Sequence, residues 1–96
     1  MFRKETIKKD VTVTGMSELL HIKRKGKGDL FKRVLDVVTD DGQVFYAELR
    51  NSKLKLFEQQ GIETGCRASL EFVFQGSQKQ EKKYNNIYIT DIKRLS

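Results

Sequence analysis

The chain has 96 residues, 38% of them hydrophobic and 33% charged, with a net charge of +6, no proline, no tryptophan and one cysteine. That length allows one domain with one modest core, and no apolar run approaches the ~20 residues of a membrane-crossing helix. The single thiol, Cys66, excludes an internal disulfide, and the basic N-terminus MFRKETIKKD lacks the apolar stretch of a secretory signal, so the expected location is the cytoplasm, with no membrane partner.

The charge is unevenly spread. Residues 1–33 carry ten basic and four acidic side chains, residues 34–78 four and seven, and residues 79–96 five and two. Folding that joins the two basic segments would give a cationic face on a nearly balanced body, a surface suited to a polyanion. The chain reads as a single domain over 1–96, with residues 1–9 as a basic N-terminal arm.

In chain order, residues 11–15 (VTVTG) alternate as a strand that bends or bulges at Gly15. Residues 16–22 could continue it, with adjacent Leu19 and Leu20 leaving the parity open. The segment HIKRKGKGDLFKR follows, with six Lys or Arg among residues 21–33. Residues 31–39 and 43–50 then form a hairpin about Asp40-Asp41-Gly42, with Gly42 at the left-handed position of a three-residue loop. That register sets Val37 opposite Phe45 and Leu35 opposite Ala47. Leu35, Val37, Phe45, Ala47 and Leu49 share the core face, and Val34, Asp36, Val38, Val44, Tyr46 and Glu48 the other. A two-residue loop would bury Asp36 beside Ala47, at a large desolvation cost.

Asn51 or Ser52 can cap a short helix over 53–60, with Leu54 and Phe57 inward and Gly61 as its stop. Residues 66–74 alternate with Cys66, Ala68, Leu70, Phe72 and Phe74 inward. Residues 75–83 (QGSQKQEKK) read as a polar, basic loop, and 86–92 as a last strand with Ile87 and Ile89 inward and Tyr88 outward. Three strands, a helix and two strands predict an all-β fold with one short helix: a five-stranded Greek-key barrel of the OB type, with its helix between strands 3 and 4.

Catalysis finds little support. His21 is the only imidazole, Cys66 has core parity, and no His/Cys cluster has metal-ligand spacing. The hairpin and sheet carboxylates lack a third partner for a metal-dependent nuclease. The expectation is a binding protein, not an enzyme, without metal or cofactor.

An OB-fold grips nucleic acid across strands 2 and 3, between the loop joining strands 1 and 2 and the loop joining strands 4 and 5. The two most basic stretches fall on those loops: Lys23, Arg24, Lys25 and Lys27 on the first, Lys79, Lys82 and Lys83 on the second. Lys32, Arg33 and Arg50 add charge at the strand ends, although Arg33 has inward parity. Tyr46 is placed on the groove face by the hairpin register, and Tyr84 and Tyr88 are further candidates for stacking. Phe31 has core parity but stands at a loop exit, so core and groove both stay open for it, as they do for Tyr88. Asp36 and Glu48 lie on the same face and would repel phosphate.

From Val11 onward the pattern resembles the bacterial single-stranded-DNA-binding protein family. The matching pieces are a first strand ending in glycine (VTVTG), the basic loop, the hairpin VLDVVTDDGQVFYAEL, the short helix, the strand GCRASLEF and the closing strand in KYNNIYITDI. The resemblance implies that Lys23, Arg24, Lys25 and Lys27 contact phosphates, that Tyr46 holds a groove position, and that Lys79, Lys82 and Lys83 belong to a long hairpin that wraps the strand. The absence of tryptophan and of an acid-tipped tail after Ser96 departs from the family and suits an accessory protein of replication, restart or recombination. The resulting expectation is binding of single-stranded DNA with little sequence preference. A homodimer or larger homo-oligomer would form through an exposed strand edge and Val34, Val38 and Val44. The alternatives are an RNA-binding OB domain and a protein-interaction OB domain docking on an acidic partner.

Overall fold

A computed structural model describes residues 5–26, 28–79 and 81–96, with the backbone alone for 77–79 and 82–85. The elements are β1 (Ile7–Met16), β2 (Leu20–Ile22), β3 (Leu30–Thr39), β4 (Val44–Arg50), α1 (Ser52–Gln59), β5 (Arg67–Lys79) and β6 (Lys82–Arg94). Hydrogen bonding runs β1-β5-β6-β4-β3-β2, and an added β1–β3 pairing closes the first five into a ring with β2 appended outside β3. β4 and β6 meet in parallel at Glu48 and Tyr88; every other pairing is antiparallel. This is the five-stranded barrel expected from the sequence, with the helix between its third and fourth strands.

Alternation explains the core. Val11 and Val13 of β1, Leu35 and Val37 of β3, Ala47 and Leu49 of β4, and Ala68 and Leu70 of β5 are fully buried inside the ring. Each such aliphatic side chain contributes about 1.5–3 kcal/mol, less for alanine. Leu54 and Phe57 of α1 join the same cluster. Gln60 then ties the helix end to β6, its Nε2 donating to the Ile92 carbonyl (2.6 Å) and its Oε1 accepting from the Arg94 N–H (2.6 Å). Gly61 follows at φ 62°, a left-handed position that stops the helix.

The β3–β4 hairpin has the expected register: Val37 faces Phe45, Leu35 faces Ala47, and the Thr39 N–H donates to the Gln43 carbonyl. Gly42 adopts φ 88° in the three-residue loop. The Thr39 hydroxyl donates to the Asp41 carboxylate, which holds the Asp41 carboxyl below its ordinary value. The β1 register shifts between Val13 and Gly15, where the bulge was expected.

Five expectations need correction. Residues 7–9 are not arm but strand, pairing with β5 from Ile7 opposite Phe72. Within the run 75–83, residues 75–79 and 82–83 are not loop but strand: β5 and β6 continue as a paired hairpin from Gln75 opposite Asn86 to Lys79 opposite Lys82. That ribbon reaches beyond the barrel, so neither face needs apolar residues and the alternation that marks a half-buried strand is absent. For the same reason Phe74, expected inward, is 55% exposed. Asn51 precedes the helix, but its side chain does not cap it; Asn51 Oδ1 accepts from the Phe31 N–H instead (3.0 Å). Cys66 is half-buried against the core rather than enclosed within it. Among the described residues, no helix is long and apolar enough to cross a membrane.

Candidate nucleic-acid interface

The outer face of β3 and β4 is built by the hairpin register. Lys32 stands opposite Arg50, Val34 opposite Glu48, and Asp36 opposite Tyr46. β6 adds Tyr88 beside Glu48 through the single parallel pairing. Three strands therefore bring Lys32, Glu48, Arg50 and Tyr88 together. Lys32 Nζ lies 2.9 Å from Glu48 Oε1, and Arg50 Nη2 lies 3.7 Å from the same oxygen. The Arg50 guanidinium sits over the Tyr88 ring, 4.0 Å from its centroid.

This arrangement changes the expected role of Glu48. Its side chain is 12% exposed and bracketed by two cations, so the cluster carries a net positive charge instead of repelling phosphate. The main consequence of these partly buried ion pairs is electrostatic. Asp36 has no ion pair among the described residues; its carboxylate lies against Gly15, where an added Cβ would meet Oδ2 at 3.0 Å. Tyr46, opposite it, is 62% exposed, with a free ring face. Tyr88 points outward and is half-buried beneath Arg50.

β2 extends the sheet beyond β3, pairing Leu20 with Lys32, His21 with Phe31 and Ile22 with Leu30. The loop after it exposes Lys23 and Lys25. Arg24 is partly engaged, its Nε donating to the Gly28 carbonyl (3.0 Å) across a turn in which Gly26 has φ 72°. Phe31 lies outside the core, stacked on His21. Arg33 keeps its inward parity and is half-buried; its Nη1 donates to the Ser17 carbonyl (3.0 Å), so this expected contact fastens the end of β1. Lys27 lies outside the described residues, as do the side chains of Lys79, Lys82, Lys83 and Tyr84, although the strands bearing these last four form the long hairpin.

The structure thus brings together Lys32, Arg50, Tyr46 and Tyr88 on one face, with Lys23 and Lys25 at the end of the adjoining ribbon. Sequence reasoning missed the Lys32–Glu48–Arg50 cluster. The register carried the signal: the hairpin that sets Thr39 opposite Gln43 also sets Lys32 opposite Arg50, with Glu48 between them on the same face. Among the described residues no group of three His, Cys, Asp or Glu side chains is placed to hold a metal ion.

No protein-family model and no curated protein matches the chain. Solved structures do. The mitochondrial single-stranded-DNA-binding protein of S. cerevisiae superposes with a TM-score of 0.65 at 11% identity, covering 97% of each chain. The N-terminal domain of PriB from Thermoanaerobacter tencongensis, described as dimeric, superposes with a TM-score of 0.55 at 18% identity, covering 95% of this chain and 96% of that one. At such identities the likeness concerns the fold, and it extends over nearly the whole chain. The chain has the OB-fold seen in single-stranded-DNA-binding proteins.

Proposed function

We propose that this protein binds single-stranded DNA with little sequence preference and without catalysing a reaction, in support of replication, restart or recombination. The observation that carries the reading is the neutralised carboxylate of Glu48. Lys32 and Arg50 turn the Glu48 carboxylate of the β3–β4 face into part of a cationic surface, beside the exposed ring of Tyr46. Lys23 and Lys25 offer phosphate contacts at one end. The lysines of the long hairpin, Lys79, Lys82 and Lys83, would supply them at the other.

Arg50→Ala tests the reading by fluorescence anisotropy with labelled oligo-dT. The substitution removes a cation, uncovers Tyr88 and leaves Glu48 with Lys32 alone. The expected result is about tenfold weaker binding, or about 1.4 kcal/mol. Unchanged affinity would remove this face from the interface.

The proposal includes self-association. Val34 and Val38 are half-buried, which moves the available apolar surface to Val44 (61% exposed) and Phe74. These two rim an open groove of about 530 Å³ floored by Phe45, Phe72, Ile7 and Ile87. A second copy of the chain is the occupant favoured here, because the related PriB domain is dimeric.

A further inference from the structure

Beyond the end of the barrel, β2 and β3 form a two-stranded ribbon on which His21 and Phe31 stand directly opposite each other. Their rings stack with centroids 4.4 Å apart and planes 8° from parallel. Asp29 Oδ2 lies 2.9 Å from His21 Nε2, which fixes the rotation of the imidazole. Nδ1 has no partner among the described residues, and the His21 and Asp29 side chains are 41% and 49% exposed. Because side chains alternate along a strand, this pair lies on the opposite side of the ribbon from Lys32, whose amine is held by Glu48. The stack is therefore a surface separate from the β3–β4 face, next to the loop that exposes Lys23 and Lys25.

The chemistry of this trio depends on one proton. With Nε2–H donating to Asp29, neutral imidazole presents an acceptor lone pair at Nδ1, which a phosphate oxygen avoids. Protonation converts Nδ1 to a donor and makes the ring a cation. Asp29, from the segment before β3, and the π face of Phe31, from β3 itself, are the groups that face that cation. The Arg24 guanidinium, on the loop after β2, is turned to the Gly28 carbonyl. Histidine is the side chain that ordinarily changes charge between about pH 5 and 8.

We propose that His21 is a proton-dependent phosphate contact. In the imidazolium form its Nδ1–H donates to a backbone phosphate of the bound strand, Asp29 orients the ring through Nε2, and Phe31 supports it from beneath. The inference rests on the single-strand-binding reading. It predicts that affinity rises as pH falls, because the bound complex takes up a proton at this position.

The test is oligo-dT anisotropy over a salt series at about pH 8 and about pH 5.5, with wild type and His21→Gln. His21 is the only histidine in the chain, and thymine does not titrate in this interval. Wild type should bind about three- to tenfold more tightly at the lower pH, with the slope of log K against log salt steeper by up to about 0.7, the value of one phosphate contact on a single strand. His21→Gln should match wild type at about pH 8 and lose the step. A wild-type affinity that does not change with pH, or a variant that keeps the wild-type step, overturns this inference while leaving the broader reading intact. No binding by either protein at about pH 8 overturns that broader reading and this inference with it.

Discussion

Glu48 lies on the outer face of β3 and β4, bracketed by two cationic neighbours. With Lys32 at 2.9 Å and Arg50 at 3.7 Å, its charge is outweighed within the cluster. Tyr46 lacks such company: its ring is exposed and makes no ring contact among the described residues, which suits a surface that stacks on a base. Lys25 is exposed on a glycine-containing loop and can act only through charge. The two residues should therefore fail in different ways. Tyr46→Ala should cost about 1–3 kcal/mol of oligo-dT binding with the salt slope nearly unchanged. Lys25→Ala should lower affinity and flatten the slope by something under about one unit. Matching behaviour of the two variants in a salt-series titration would contradict the division between stacking and phosphate contacts. Tyr46 was legible in the sequence because strand parity alone put it outside. Arg33 was not, since its inward parity needed the Ser17 carbonyl at the barrel end to make sense.

At the level of elements, the β3–β4 hairpin supplies Lys32, Tyr46, Glu48 and Arg50 of the outer face, and its register depends on one loop. Gly42 holds φ 88°, a conformation that costs a residue bearing a Cβ about 1–2 kcal/mol. Gly42→Ala should lower stability by that amount in chemical denaturation, since nothing lies within 4 Å of the added methyl and the loss would be purely conformational. This hairpin could be read from the sequence because its alternation is enforced by burial on one side. The β5–β6 extension could not, because its pattern of Gln, Lys and Glu is that of a loop. β2 was obscured similarly: a three-residue edge strand with all its side chains exposed carries almost no pattern. Lys32, Glu48 and Arg50 all lie on the β3–β4 hairpin, so only the addition of Tyr88 depended on the parallel approach of β6 to β4, a tertiary contact with no local signature.

For the whole molecule, ring closure sets which strands are neighbours: β3 lies between β1 and β4, and β6 joins β4 to β5, which brings Tyr88 beside Glu48 and Arg50. The same closure leaves the apolar groove at Val44 and Phe74. If a second copy covers it, light scattering at tens of micromolar should give a mass above that of the monomer, and Phe74→Ser should reduce it toward the monomer. A monomeric mass for the unaltered chain would contradict that assembly.

The central claim, that this barrel grips single strands, is tested most directly by anisotropy of labelled oligo-dT against the matching duplex at two salt concentrations. With four to six phosphates engaged at about 0.7 per contact, log K for oligo-dT should fall against log salt with a slope of about −3 to −4, and the single strand should bind more tightly than the duplex. Absence of oligo-dT binding at low salt, or equal or tighter binding of the duplex, would contradict the account.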